Sequence, residues 1–215
     1  LDMDSMPPAI ITSLVPASSR SLASMVAFMP EPHILLTVVQ PADSAALEAR
    51  LREMKQAARL NHPNLAHVIE VGVQDHWPYV ACDRALGVTL GEWLVAQPRL
   101  APLDIAALMC HALSGLAFAH EAGIAHADLQ HGNVLLVPGS KSGSLGLKLI
   151  DYDGLYLPSL ANQPSGELGH ANYQHPDRAA KQIFSPDLDR FPHLVIATAL
   201  KALASQGPKL WERYD

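Results

Sequence analysis

Apolar positions recur every three or four residues through 102–122, where Ile105, Leu108, Met109, Ala112, Leu113, Leu116 and Ala119 fall on one stripe. With Pro102 near its start and Gly123 just past its end, this stretch predicts a long helix whose stripe is core. Residues 189–205 read as a second helix, apolar nearly all round (Leu194, Val195, Ile196, Ala197, Leu200, Leu203) and hence buried. A third helix runs over 44–60 from an N-cap at Ser44, with Leu47, Leu51, Met54 and Ala58 on one face. It ends before Asn61-His62-Pro63-Asn64, because proline disfavours helical geometry in the residue before it. Residues 89–96 predict a short helix closed by Gln97-Pro98. The other apolar runs are strand-length: 10–12, 34–39, 65–73 and 78–82, the last two joined by a turn at 72–77, then 134–137 and 147–150 across a Gly/Ser-rich turn. No internal repeat is present.

Between the long helix and the strand at 134–137 lies His126-Ala127-Asp128-Leu129-Gln130-His131-Gly132-Asn133, with a carboxylate and an amide five residues apart. The strand at 147–150 leads into Asp151-Tyr152-Asp153-Gly154. Phosphoryl transfer asks little covalent chemistry of a protein; an acceptor hydroxyl must be aligned and divalent metal held on the phosphates. Asp128 offers a carboxylate to orient and deprotonate the hydroxyl, and Asn133 and Asp151 offer hard oxygen ligands suited to Mg²⁺. A lone Asp in a loop is ordinarily a turn or cap residue, so the weight falls on the ordered set.

The pattern His-x-Asp-Leu-x-x-x-Asn, then an apolar strand and Asp-aromatic-x-Gly, resembles the catalytic and metal-binding loops of the protein-kinase superfamily. Gly169-His170-Ala171-Asn172-Tyr173-Gln174-His175-Pro176-Asp177 parallels that family's Gly-x-x-x-Tyr-x-x-Pro-Glu segment, which supports a peptide substrate. The resemblance covers about 14–205 and implies a two-lobed α+β fold. A small β-rich lobe with one helix would occupy 1–83, and a larger, mainly helical, C-terminally abbreviated lobe 84–215. The implied cofactors are ATP and Mg²⁺, with Asp128 as catalytic base and Asn133 and Asp151 as metal ligands.

Further positions follow from the same resemblance. With Val26 as the valine of the glycine-loop pattern, Ser19, Ser21 and Ser24 occupy the glycine positions over the ATP phosphates. Leu35 stands where a small alanine covers the adenine, and Thr37 where a lysine grips the phosphates. Glu53 matches the glutamate that pairs with that lysine; here Arg20 is its candidate partner. Asp83 and Ala85 belong to the hinge facing adenine, and Leu135, on the strand after Asn133, completes the nucleotide-binding set. His126 is implied to be a packed structural residue, and Asp189 to cap the loop at 126–128 through backbone amides. Residues 154–168 suit an activation segment. Ala127 replaces the arginine that in many kinases answers a phosphorylated activation loop, so regulation by that route is not expected.

Composition narrows the field. At 215 residues with 49% apolar and 17% charged, the chain suffices for one large domain or two lobes around a cleft. A net charge of −6 gives no electrostatic support to nucleic-acid binding. Cys82 and Cys110, both in apolar surroundings, read as buried reduced thiols of a cytoplasmic protein. The eleven histidines lack zinc-site spacing, no run reads as a membrane span, and no signal-peptide layout opens the chain. The chain begins with Leu1, which suggests a fragment, and the short large lobe leads us to expect an exposed apolar surface open to a partner protein.

These features support ATP-dependent phosphoryl transfer to protein Ser/Thr hydroxyls, weakened because no lysine occurs between Leu1 and Glu53. One alternative is a pseudokinase scaffold with weak or no nucleotide binding. Another is a small-molecule phosphotransferase of aminoglycoside type, against which the 169–177 segment counts.

Overall fold

The computed structural model describes residues 34–38, 44–74, 77–83, 85–96, 101–139, 144–152, 154–161, 168–181, 184–207 and 210. The expected strand at 10–12, the loop with Ser19, Arg20, Ser21, Ser24 and Val26, and Asp153 lie outside the described residues. Two compact units are formed, one within 34–59 and 67–83, the other within 60–66 and 85–210.

In the first unit, β1 (Ile34–Val38), β2 (Val68–Gln74) and β3 (Trp77–Asp83) form an antiparallel sheet in the order β1-β3-β2, and α1 (Ser44–Ala57) packs on β2 and β3. Met54 and Ala57 of α1 are buried, as are Val68, Ala81 and Cys82 of the sheet. Gly72 is not in a turn, as expected from its sequence, but inside β2 opposite Tyr79. The Tyr79 ring lies so close that a Cβ at Gly72 would sit 2.5 Å from its hydroxyl. Without that Cβ, Tyr79 crosses the strand and donates to Glu70 Oε1 at 2.8 Å. The first helix stops at Ala57 instead of Leu60, closing with Ala58 and Arg59 N–H groups on the Met54 and Gln56 carbonyls.

Leu60 and its followers belong to the second unit because Asn64 and Leu65 are tied to a strand there. Asn64 Nδ2 donates to the Leu147 carbonyl at 2.9 Å, and Leu65 forms a parallel bridge with Leu149. The unit contains β4 (Val88–Thr89), α2 (Leu90–Ala96), α3 (Pro102–Glu121), β5 (Val134–Pro138), β6 (Leu145–Leu149), α4 (Pro176–Lys181) and α5 (Arg190–Gln206). Its antiparallel sheet runs β4-β5-β6. Thr89, expected to be helical, instead pairs with Leu135 and caps α2. Its Oγ1 accepts the Glu92 N–H at 3.2 Å, while Glu92 Oε2 accepts the Thr89 N–H at 2.8 Å, a reciprocal capping box.

Helix α3 buries its predicted stripe, with Leu108, Ala112 and Leu116 nearly inaccessible and Gly123 reversing the chain at φ 74°. Leu113 departs from the expectation at 48% exposed, because it lies one step off the buried arc. Cys110 is off that arc too and exposed, so the pair of buried thiols reduces to Cys82 alone. By length and composition α3 is apolar enough to cross a membrane, contrary to the sequence reading, yet its stripe is packed in this unit's core. Helix α5 is amphipathic instead of apolar all round: Pro192, Ile196, Leu200 and Leu203 face inward, whereas Leu194 is 62% exposed.

Candidate functional site

The loop after α3 is built from its backbone outward. Ala125 and Tyr156 exchange N–H···O bonds at 3.1 and 2.9 Å, fixing the loop's first residue. The Asp189 carboxylate, 1% exposed, then accepts the N–H groups of His126 at 2.8 Å and Ala127 at 2.7 Å, and His120 Nε2 at 2.8 Å. Burial pushes the Asp189 carboxyl up, but the His120 hydrogen bond, the charge of His126 and the two amides outweigh it and hold it below the usual range. This is the amide-capping arrangement expected of Asp189. His126, 2% exposed, is a structural residue as expected. Its Nε2 is 2.9 Å from the Ile150 carbonyl, which only accepts, so Nε2 carries the proton; its ring stands edge-on to Tyr152 at 5.9 Å.

Asp128 and Asn133 are brought into direct contact. Asn133 Nδ2 donates to the Asp128 carbonyl at 2.9 Å and to Oδ2 at 3.1 Å, a bond set that leaves the amide oxygen unengaged. Gln130 Nε2 approaches the same Oδ2 at a long 3.4 Å, and the His170 N–H donates to Oδ1 at 2.9 Å. An ionised carboxylate has about four lone-pair sites, so a hydroxyl still finds one on Asp128. Asn133 also anchors the second carboxylate's segment: its carbonyl accepts the Ile150 N–H at 3.0 Å. Ile150 is thus gripped by Asn133 on one side and His126 on the other, and Asp151 follows at once, exposed and at φ 68°. Asp tolerates that left-handed backbone better than most residues. Gly154 closes the segment against Asp128, where an added Cβ would lie 3.3 Å from the Asp128 Cβ.

The other expected residues distribute between the units. Leu35 (opposite Cys82), Thr37 (opposite Val80), Glu53 on α1 and Asp83 belong to the first. Asp83 is the last residue of β3, its N–H on the His67 carbonyl at 2.8 Å, not a loop residue. Ala85 and Leu135, both partly buried, belong to the second unit, Leu135 on β5 opposite Lys148.

Arg178, not singled out from sequence, and Gly169 and Tyr173 of the 169–177 segment also build the site. Arg178, 2% exposed, donates through Nη1 to the Ala127 carbonyl and to Gln174 Oε1. Gly169, at φ 68°, has Asp128 Oδ1 within 2.6 Å of where its Cβ would be. Tyr173 Oη lies 2.8 Å from His131 Nδ1, with the rings stacked at 5.5 Å. Among the described residues no three His, Cys, Asp or Glu side chains are grouped to hold a metal. The donor set is instead one amide oxygen and carboxylates, which suits Mg²⁺ because that ion keeps water and phosphate oxygens in most positions.

The protein kinase domain model matches residues 37–202, more than half of the chain, and the chain belongs to this family. Among relatives, it is 26% identical over 128 residues to serine/threonine-protein kinase PrkC of Bacillus subtilis, covering 60% of this chain and 19% of that protein. It is 31% identical over 128 residues to serine/threonine-protein kinase PknL of Mycobacterium tuberculosis, covering 59% and 31%. Similarity to calcium-dependent protein kinase 4 of Plasmodium falciparum is 26% over 130 residues, covering 60% and 24%. The chain thus spans about a fifth to a third of the length of these curated relatives. The bacterial serine/threonine kinases among them agree with the resemblance read from the loops.

Proposed function

We propose that this chain catalyses ATP-dependent phosphoryl transfer to serine or threonine hydroxyls of a protein. The observation that carries the reading is the Asn133 amide bonded to Asp128 at 3.1 Å, with the Asn133 carbonyl holding the residue before Asp151. Asp128 receives the hydroxyl at its remaining lone-pair site and takes its proton, while Asn133 and Asp151 would hold Mg²⁺, which supplies charge neutralisation on the phosphates. In this reading 1–83 forms a small lobe and 84–215 a large one. Leu35, Glu53, Asp83, Ala85 and Leu135, with Ser19, Ser21, Ser24 and Val26, bind the nucleotide. The protein substrate is supported by the 169–177 segment.

Thr37 in β1 stands where the family's lysine would grip phosphate, and no lysine occurs from Leu1 to Glu53. Losing one preorganised donor of transition-state charge costs about 10²- to 10³-fold in rate, roughly 3–4 kcal/mol. This same observation favours a second reading, a scaffold that binds partners without transferring phosphate. The test is transfer of γ-labelled phosphate from ATP to a mixed protein substrate or to the chain itself, with and without Mg²⁺. Slow, metal-dependent incorporation that disappears in Asp128→Asn supports the enzyme; no incorporation from wild type supports the scaffold.

A further inference from the structure

Ala127 holds φ 63°, a left-handed backbone that an L-residue other than Asn, Asp or Gly rarely adopts. Such an outlier persists only where its surroundings hold it, and its peptide groups are held on both sides. The N–H is taken by the buried Asp189 carboxylate at 2.7 Å. The carbonyl is taken by Nη1 of Arg178, a guanidinium buried to 2% exposure on the short helix α4. Burying a charged group is costly unless its donors find acceptors, and here Nη1 finds two, Gln174 Oε1 and the Ala127 carbonyl. Gly169 completes the packing, since its Cβ would come within 2.5 Å of Gln174 Nε2 and 3.3 Å of the Ala127 carbonyl.

We propose that Arg178 is a positioning residue for the phosphoryl-transfer site: by holding the Ala127 carbonyl it fixes the peptide from which Asp128 projects. The inference rests on the function proposed above. The cation arrives from α4, directly after the 169–177 segment, and it is permanent. Ala127 offers no side chain to bind an added phosphate, so this contact orders the loop without modification. The His170 N–H on Asp128 Oδ1 at 2.9 Å brings the same segment to the carboxylate itself.

The experiment uses the 215-residue chain, wild type and Arg178→Met, which keeps bulk but removes the donors. Loss of a clamp on the loop lowers kcat by about 10²-fold, the scale of a small misplacement, while KM for ATP and the Mg-ATP thermal shift stay within about twofold. Amide exchange accelerates over residues 126–129 and is unchanged over 105–119. A folded variant with wild-type kcat, or with exchange raised equally in both segments, overturns the proposal. Should Arg178→Met not fold, Gln174→Ala removes the second acceptor and keeps the cation; it must show the same local signature at smaller amplitude, and unchanged exchange over 126–129 overturns the clamp. Wild-type chain that transfers no phosphate counts against the function proposed above, and the exchange comparison still decides the clamp.

Discussion

The carboxylate of Asp189 accepts the backbone N–H of Ala127 at 2.7 Å across 62 residues of sequence. Replacement by Asn puts an amide where two backbone donors and His120 need acceptors. Hydrogen bonds to a buried charge contribute about 1.5–3 kcal/mol, so Asp189→Asn is expected to lose about 3 kcal/mol at pH 7 in urea unfolding. The Asp189 carboxyl lies below its ordinary value of 3.8, so its contribution is complete above that pH and lost as pH falls through the lower folded value. The gap between wild type and variant must therefore narrow below about pH 4. A gap that widens there contradicts the assignment.

His193 gives a second pH effect of like sign. Burial lowers its imidazole below 6.5 against the opposing pull of Asp189. The unfolded chain then takes up a proton that the folded chain resists, so stability is present above about pH 6.5 and declines as pH falls below it. His193→Gln should flatten the stability profile between about pH 7 and 5. An unchanged slope would remove His193 from the account.

Gly169 is the substitution most sensitive to geometry. A methyl there faces Asp128 Oδ1 at 2.6 Å and Gln174 Nε2 at 2.5 Å, and φ is 68°. Gly169→Ala is expected to cost about 1–2 kcal/mol from the backbone conformation alone. Displacing Asp128 should also lower phosphoryl transfer by about 10²-fold. Steady-state rates on the folded variant check this, and wild-type kcat would show that Asp128 does not depend on that contact.

Thr89 provides a contrast away from the chemistry. Thr89→Ala removes the acceptor of the Glu92 N–H and should cost about 1 kcal/mol, the usual cost of a lost N-cap. Thermal unfolding should report the loss, and nucleotide affinity should not move.

Local pattern made the scaffold legible. The stripe of α3, the strand-length runs of β5 and β6 and the turn chemistry at Gly123 follow from neighbours in sequence, so position alone predicted them. The exposures of Leu113, Cys110 and Leu194 were available in the same periodicity, had each been placed by angle around its helix instead of by hydrophobicity. The capping box was also readable, as Thr-x-x-Glu beside an apolar run. Arg178 was not. Within Pro-Asp-Arg-Ala-Ala-Lys it looks like an exposed helix charge, and only the fold brings the Ala127 carbonyl 51 residues away to its guanidinium. Nor does sequence disclose that His170 bonds Asp128 by its main chain, since any residue but proline there has an N–H.

Unfolding temperature, titrated with ATP in the presence and absence of Mg²⁺ for wild type and Asp151→Asn, tests most directly whether Asp128, Asn133 and Asp151 constitute one nucleotide site. A ligand that binds only the native state stabilises it, by about 2.7 kcal/mol at 100 times Kd. The account predicts that wild type gains a Mg²⁺-dependent increment and that Asp151→Asn loses that increment while remaining folded. No shift of wild type at millimolar nucleotide, or an equal metal-dependent shift in the variant, would contradict it.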